Sequence, residues 1–302
     1  MKKWFDEKFE KRNLKRNNDR IEEEFGKINI NRILRRFSIT NWLIIINTII
    51  YLLIVILKIV GFPEPKIFLI FALSANTLFS GAVWTLLTSM FTHFWLPHLL
   101  FNIISLFFVG NFLERIIGRK KFLGFYLISG IFAGIFYSVL SFYFGTSELG
   151  SRIFVNPSIL SVGASGAIFG LVGLLAILTP FMKVYLIAGP IFALILQSIL
   201  SKIVNSQIIS LINFFITFYI FLSIFSMFSF NPILRKIGIP ISMPFWFLSI
   251  VSIVPLVIIG LFVNLPIGNT AHLGGLIAGF AYGSYLRIKY KKKTLFIQSH
   301  FK

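Results

Sequence analysis

The sequence predicts an all-α fold, a polytopic bundle of helices crossing a membrane, from two observations. Long uncharged apolar runs recur along the chain, and the basic residues collect in short clusters between them. Hydrophobic residues make up 57% of the chain and charged residues 13%, with 37 phenylalanines, a balance foreign to soluble globular domains. A helix of about 17–25 apolar residues matches a hydrocarbon core ~30 Å thick. The net charge of +19 does not point to nucleic acid, because the lysines and arginines form no continuous basic surface. They gather before Phe37, at Arg119-Lys120-Lys121 and from Arg287 to Lys293. Basic clusters at span ends mark the cytoplasmic side. The absence of cysteine excludes disulfides and thiolate metal sites.

Residues 1–37 are read as a basic cytoplasmic tail. Met1 to Arg36 carries 12 Lys/Arg and seven Asp/Glu with few apolar residues, the composition of a solvated segment. It is too long and polar to precede a cleaved signal. A transmembrane domain follows over 38–288, with spans expected at 42–60, 98–117, 122–144, 159–179, 184–200, 208–230, 244–263 and 270–286. With the N-terminus inside, Arg119-Lys120-Lys121, Lys183, Arg235-Lys236 and the basic tail 289–302 all fall on the cytoplasmic side. Loops 61–97 and 145–158 fall outside. The chain is thus expected to be a multi-pass protein of the cell membrane with both termini cytoplasmic. The lipid bilayer is its surroundings, and nucleic acid is not a partner.

Chemistry enters through two residues that hydrocarbon does not favour. Ser165 stands in Gly163-Ala164-Ser165-Gly166 inside an apolar run, and His272 opens another run. Polar side chains in spans are costly unless they act. An odd number of crossings between the two spans brings both residues toward the outer face. Three crossings give eight spans, and one crossing with a re-entrant segment satisfies the same condition. No aspartate follows Asp19, and Glu114 lies at the cytoplasmic end of its span, so a Ser-His-Asp triad is excluded. The remaining arrangement is a dyad, in which a neutral imidazole takes the hydroxyl proton. No metal cluster or cofactor is expected.

Close approach of the two helices is written in small residues. Gly166 and Gly170 are four apart, as are Gly275, Gly279 and Gly283. Such spacing lets membrane helices touch, and alone it is a common packing motif. Phe169 lies one turn after Ser165 and is placed to pack on the imidazole. His98 and Asn102 share a helix face and can direct two donors at one oxyanion, or simply cap an interfacial helix start. Pro97 suits the first turn of that helix.

Taken together, Gly163-Ala164-Ser165-Gly166, Ala271-His272 with Gly275 and Gly279, and His98 with Asn102 resemble the motifs of the rhomboid intramembrane serine proteases. The resemblance extends to Trp84, to His93 and to Gly110–Gly118 with Glu114, and covers about residues 40–180 and 244–288. It implies a six-helix core, Ser165 as nucleophile, His272 as general base, and His98 and Asn102 lining an oxyanion hole. Transmembrane proteins would be the substrates. Loop 61–97 would lie partly in the outer leaflet, and the span before His272 would gate entry. Two departures stand out: Trp84 is followed by Thr85 rather than Arg, and the Ser165-to-His272 separation is about twice the family's usual length. The excess assigns 181–230 to an inserted helical hairpin. The alternative within the same fold is a catalytically silent protein that binds membrane clients. A transporter would instead require ionisable residues at span centres.

Overall fold

The computed structural model describes residues 37–201, 203–226, 231–255, 257–258 and 268–301. The expected tail over 1–36, residues 227–230 at the end of the sixth span and 259–263 at the end of the seventh lie outside the described residues.

α1 (Ile39–Ile59) begins at a built cap. Ser38 accepts from the Asn41 N–H at 3.1 Å and donates to Asn111 Oδ1 at 2.9 Å. The buried Glu114 carboxylate accepts from the Ile39 and Thr40 N–H groups, each at 2.9 Å, and from the Thr40 hydroxyl at 2.8 Å. It satisfies donors that have no partner within the helix and sits at the positive pole of the helix dipole. Loop 61–97, the expected outer loop, is largely folded, with α2 (Glu64–Phe71), α3 (Ala75–Phe79) and α4 (Thr85–Thr88). α5 (Leu96–Ser105) passes through a π turn at Leu106–Gly110 into α6 (Asn111–Ile117). At Gly110 a Cβ would fall 2.8 Å from Thr40 Cγ2, so this bulged stretch is where the second span meets α1.

α7 (Arg119–Phe144) crosses back, and α8 (Glu148–Phe154) caps the loop after it. Ile39–Ile59, Leu96–Ile117 and Arg119–Phe144, with 21, 22 and 26 residues, are long and apolar enough to cross a bilayer. The expected span 159–179 is shortened to α9 (Ser165–Leu178), because the preceding residues pair with the outer loop instead of forming helix. The expected span 184–200 is also divided. β1 (Lys183–Ile187) precedes α10 (Ala188–Leu200), which turns into α11 (Ser206–Ser226). α12 (Pro232–Arg235) leads to β2 (Pro240–Pro244), antiparallel to β1 with Lys183 opposite Pro244 and Ile187 opposite Pro240. Among the described residues the bundle is therefore all-α apart from this ribbon and the isolated bridge between Leu73 and Ser161. α13 (Phe245–Val251) follows, then α14 (Asn269–Lys289) and α15 (Lys291–His300), a helix where a tail was expected.

The core is the mutual packing of α7, α9 and α14, the three most extensively contacting helices. Gly166 faces Ala133, Gly170 faces Ser129 and Gly274 faces Phe136, while Phe125 stacks on Tyr282 at 4.8 Å. α10 and α11 form a separate small cluster around Ala193, Ile216 and Ile220, with Ile104 of α5 at its edge. Gln197 donates to Asn213 Oδ1 at 3.0 Å across that hairpin. Buried apolar contact and one polar pair fix its register.

Glu114→Ala strands the part-buried Ile39 N–H and the buried Thr40 N–H at the start of α1. It should lower the unfolding free energy by about 2–4 kcal/mol, read as a depressed thermal midpoint in detergent. Glu114→Gln, which keeps acceptor capacity, should lose less; equal midpoints for both variants and the parent would remove the capping role.

Candidate active site

Ser165 is the first residue of α9, and what precedes it is pinned from three sides. Ser161 and Leu73 exchange backbone hydrogen bonds at 2.6 and 3.0 Å, and the Gly163 N–H donates to the Ser89 carbonyl at 2.8 Å. From α7, the Tyr137 hydroxyl donates to the Ile159 carbonyl at 2.9 Å and the Ser141 hydroxyl to the Val155 carbonyl at 2.8 Å. These bonds satisfy a stretch of non-helical backbone that would otherwise be costly at this depth. The outer loop is held in turn by α7, where a Cβ at Gly134 would fall 3.1 Å from Leu73 and Leu86 and one at Gly130 would overlap Met90. Gly163 adopts φ +120°, a conformation that L side chains rarely take. It turns the chain abruptly into α9 and leaves Ser165 at the helix's positive end.

His272 lies in the first turn of α14, buried, with Nε2 2.8 Å from Ser165 Oγ across 107 residues of sequence. The approach is possible because the helices touch backbone to backbone. A Cβ at Gly275 would overlap the Gly166 carbonyl, one at Gly279 the Gly170 carbonyl, and one at Gly173 would fall 2.6 Å from the Leu276 carbonyl. Phe169 lies parallel to the imidazole, with centroids 4.2 Å apart and 9° between planes. His272 Nδ1 has no hydrogen-bond partner among the described residues, so the ring is oriented by stacking and by its bond to Ser165.

His98 and Asn102 gather on the other side of Gly163. A Cβ there would lie 2.7 Å from His98 Nε2 and 3.7 Å from Asn102 Nδ2. Asn102 Nδ2 donates to the His98 carbonyl at 2.9 Å, which uses one of its two protons and leaves the other for a ligand. His93, fully buried, meets the His98 ring edge-on at 4.9 Å, and Trp95 meets it at 6.1 Å. The site thus joins a hydroxyl, an imidazole within proton-transfer reach, and a donor pair around the turn that presents the hydroxyl. Thr85, where the resembled motif has Arg, is fully buried and donates to the Ala82 carbonyl at 2.6 Å.

Sequence reasoning did not find Ser89, Ser161 or Tyr137, whose roles run through backbone atoms. The one signal was the small-residue stripe Gly130, Ala133 and Gly134 on α7, which marks a face that something approaches closely.

A membrane helix bundle with serine and histidine joined inside it defines a class, the membrane-embedded proteins with a serine-hydrolase-like dyad. Within the chain, residues 80–220 match the model described as Rhomboid domain. That stretch contains His93, His98, Asn102 and Ser165, runs through α10 into α11, and ends before His272. The chain is 32% identical over 132 residues to YdcA of Bacillus subtilis (strain 168), covering 43% of this chain and 59% of that protein. It is 35% identical over 116 residues to rhomboid protease GluP of the same organism, 38% of this chain and 20% of that one. It is 38% identical over 95 residues to rhomboid protease AarA of Providencia stuartii, 30% of this chain and 33% of that one. The chain spans less than two thirds of the length of each of these relatives.

Gly163→Ala places a methyl against the His98 ring at a strained φ, and should destabilise the fold by about 1–3 kcal/mol. Misplacing the serine should also slow labelling of Ser165 by a fluorophosphonate about tenfold or more. Gly124→Ala, which meets open space, is the control. Parent-like labelling by Gly163→Ala would show that the turn does not position the hydroxyl.

Proposed function

We propose that the chain is an intramembrane serine protease that cleaves a peptide bond in or near a transmembrane segment of another protein. The observation that carries this is the 2.8 Å contact between Ser165 Oγ and His272 Nε2 inside a helix bundle. In this reading Nε2 takes the hydroxyl proton as Oγ attacks the scissile carbonyl carbon. The resulting imidazolium returns the proton to the amide nitrogen as the C–N bond breaks, leaving an acyl ester on Ser165. Water then attacks the ester, its proton passing to His272 and on to Ser165 as the acid departs. The developing oxyanion is met by the free Asn102 Nδ2 proton, by His98 and by the unpaired N–H groups at the start of α9. Phe169 holds the imidazole where a carboxylate does so in a triad.

Depth follows from length. α9 has 14 residues, about 21 Å of helix, against a hydrocarbon core of about 30 Å. With the end of α9 at the inner face, Ser165 lies several ångströms below the outer one. The ribbon between β1 and β2 brings together the two ends of the intervening chain, which supports reading α10 and α11 as a two-span insertion. The six remaining spans are then the family core, with both chain ends cytoplasmic.

Ser165→Ala and His272→Ala should each abolish cleavage of a model membrane substrate by detergent-purified protein, without loss of fold. Asn102→Ala should lower turnover by about 10- to 1000-fold. Cleavage retained by either dyad variant would remove the dyad assignment, and no cleavage by the parent protein would favour a silent, client-binding rhomboid. For the topology, a cysteine at Asn205 should react with an impermeant thiol reagent on intact cells and one at Asn231 only after permeabilisation. Labelling of both only after permeabilisation would mean that the hairpin does not cross.

A further inference from the structure

Two basic runs far apart in the sequence meet at the end of the bundle opposite Ser165. Lys121, in the first turn of α7, lies over the Tyr290 ring at 4.9 Å, and Lys289, at the end of α14, lies over the same ring at 5.8 Å. Lys120, Lys121, Arg287 and Lys289 are exposed, as are the three lysines that open α15. Among the described residues none of these cations has a carboxylate within ion-pair distance, since the ion pairs found there are Lys58–Glu64, Arg119–Glu114 and Arg152–Glu148. Glu64 and Glu148 follow the far ends of α1 and α7, and Glu114 is buried under α1. The first turns of α7 and α15 are positive ends and add to this charge, while the last turn of α14, with Arg287 and Lys289, is a negative end that offsets part of it.

Apolar side chains stand beside the cations. α15 docks by one face, with Thr294 buried and Ile297 and Gln298 half-buried. Gln298 Nε2 donates to the Ile177 carbonyl in the last turn of α9 at 3.0 Å, and Phe301 meets Phe112 of α6 edge-on at 5.3 Å. The undocked side leaves Leu295 and Phe296 51% and 71% exposed, next to Ile288 at 80%. Lysines and large apolar groups on one free face, at the end of two membrane spans, suit a lipid surface with negative headgroups.

We propose that the junction of α7, α14 and α15 binds anionic phospholipid. Lysines of both runs hold the phosphodiester, and Leu295 and Phe296 meet the upper acyl chain. Because α15 is bonded to the last turn of α9, the bound lipid anchors the helix whose other end carries Ser165.

The test uses the full chain in nonionic detergent micelles, titrated with fluorescent phosphatidylglycerol and, separately, fluorescent phosphatidylcholine. Phosphatidylglycerol should bind more tightly and weaken as salt rises from about 0.05 to 0.5 M, where the screening length shrinks severalfold. K291Q/K292Q/K293Q should weaken it about a hundredfold, at about fivefold per lysine. K120Q/K121Q should weaken it as well, about 25-fold on the same scale. Equal binding of the two lipids, or loss of binding only in the α15 variant, would overturn a site made by both runs. Displacement by millimolar inorganic phosphate would reassign it to free anions. Tighter lipid binding by E22Q/E23Q/E24Q would assign the lysines to the acidic run of the N-terminal tail instead.

Discussion

Everything at the site depends on α9 and α14 lying backbone against backbone. At Gly275 and Gly279 a single methyl would strike a carbonyl of α9, and Gly173 meets the Leu276 carbonyl from the other side. Between lipid-solvated helices there is no hydrophobic gain from leaving water, so this contact rests on dispersion and shape, which fall away quickly with distance. The same closeness puts the first turns of the two helices within hydrogen-bond range. Serine and histidine carry short side chains; a helix pair held apart by leucines would leave them separated by a gap that neither could cross. α7 completes the arrangement, because Ala133 and Ser129 face Gly166 and Gly170 and keep α9 from sliding along its partner.

That constraint was legible in the sequence because it is periodic. Glycines four apart on two apolar runs, with a serine and a histidine near their starts, specify which faces meet. The all-α bundle was legible for the same reason, since long apolar runs and basic span ends are counted along the chain. Spans near 42–60 and 122–144 correspond closely to α1 and α7. What did not show was structure made by backbone atoms between distant segments. Residues 159–164 are as apolar as the helix after them, and composition reads them as its first turns. They are held out of it by Leu73, Ser89 and Tyr137. The β1–β2 ribbon was hidden similarly, because Val184, Leu186 and Ile187 suit a strand and a span equally well. Glu114 was noted as lying on the wrong side for His272, which left its use as a cap for α1 unread.

The departures from regular helix share one physical logic. In hydrocarbon every unpaired N–H or C=O is costly, and helix is the ordinary remedy. This chain abandons helix before Ser165 and restores the missing bonds with the outer loop and with hydroxyls of α7. That loop is amphipathic in consequence. It turns Ser74, Ser89 and Met90 inward while Phe79, Val83, Trp84 and Leu87 remain exposed, the distribution expected of a segment partly immersed in lipid. The exposed phenylalanines of α11, among them Phe214, Phe215 and Phe218, fit the same surroundings.

The proposed cleavage requires that water and a peptide carbonyl reach a place that lipid surrounds. The non-helical approach to Ser165 serves the second need directly. It starts α9 only at Ser165 and leaves the N–H groups of the first turn without intrahelical partners. Those donors, with Asn102 and His98, would meet the negative charge that forms when a carbonyl is attacked. A full-length helix through this point would bury those N–H groups in its own hydrogen bonds and set Ser165 against lipid. The shortness of α9, and not the serine alone, is what would make the proposed hydrolysis compatible with the membrane interior.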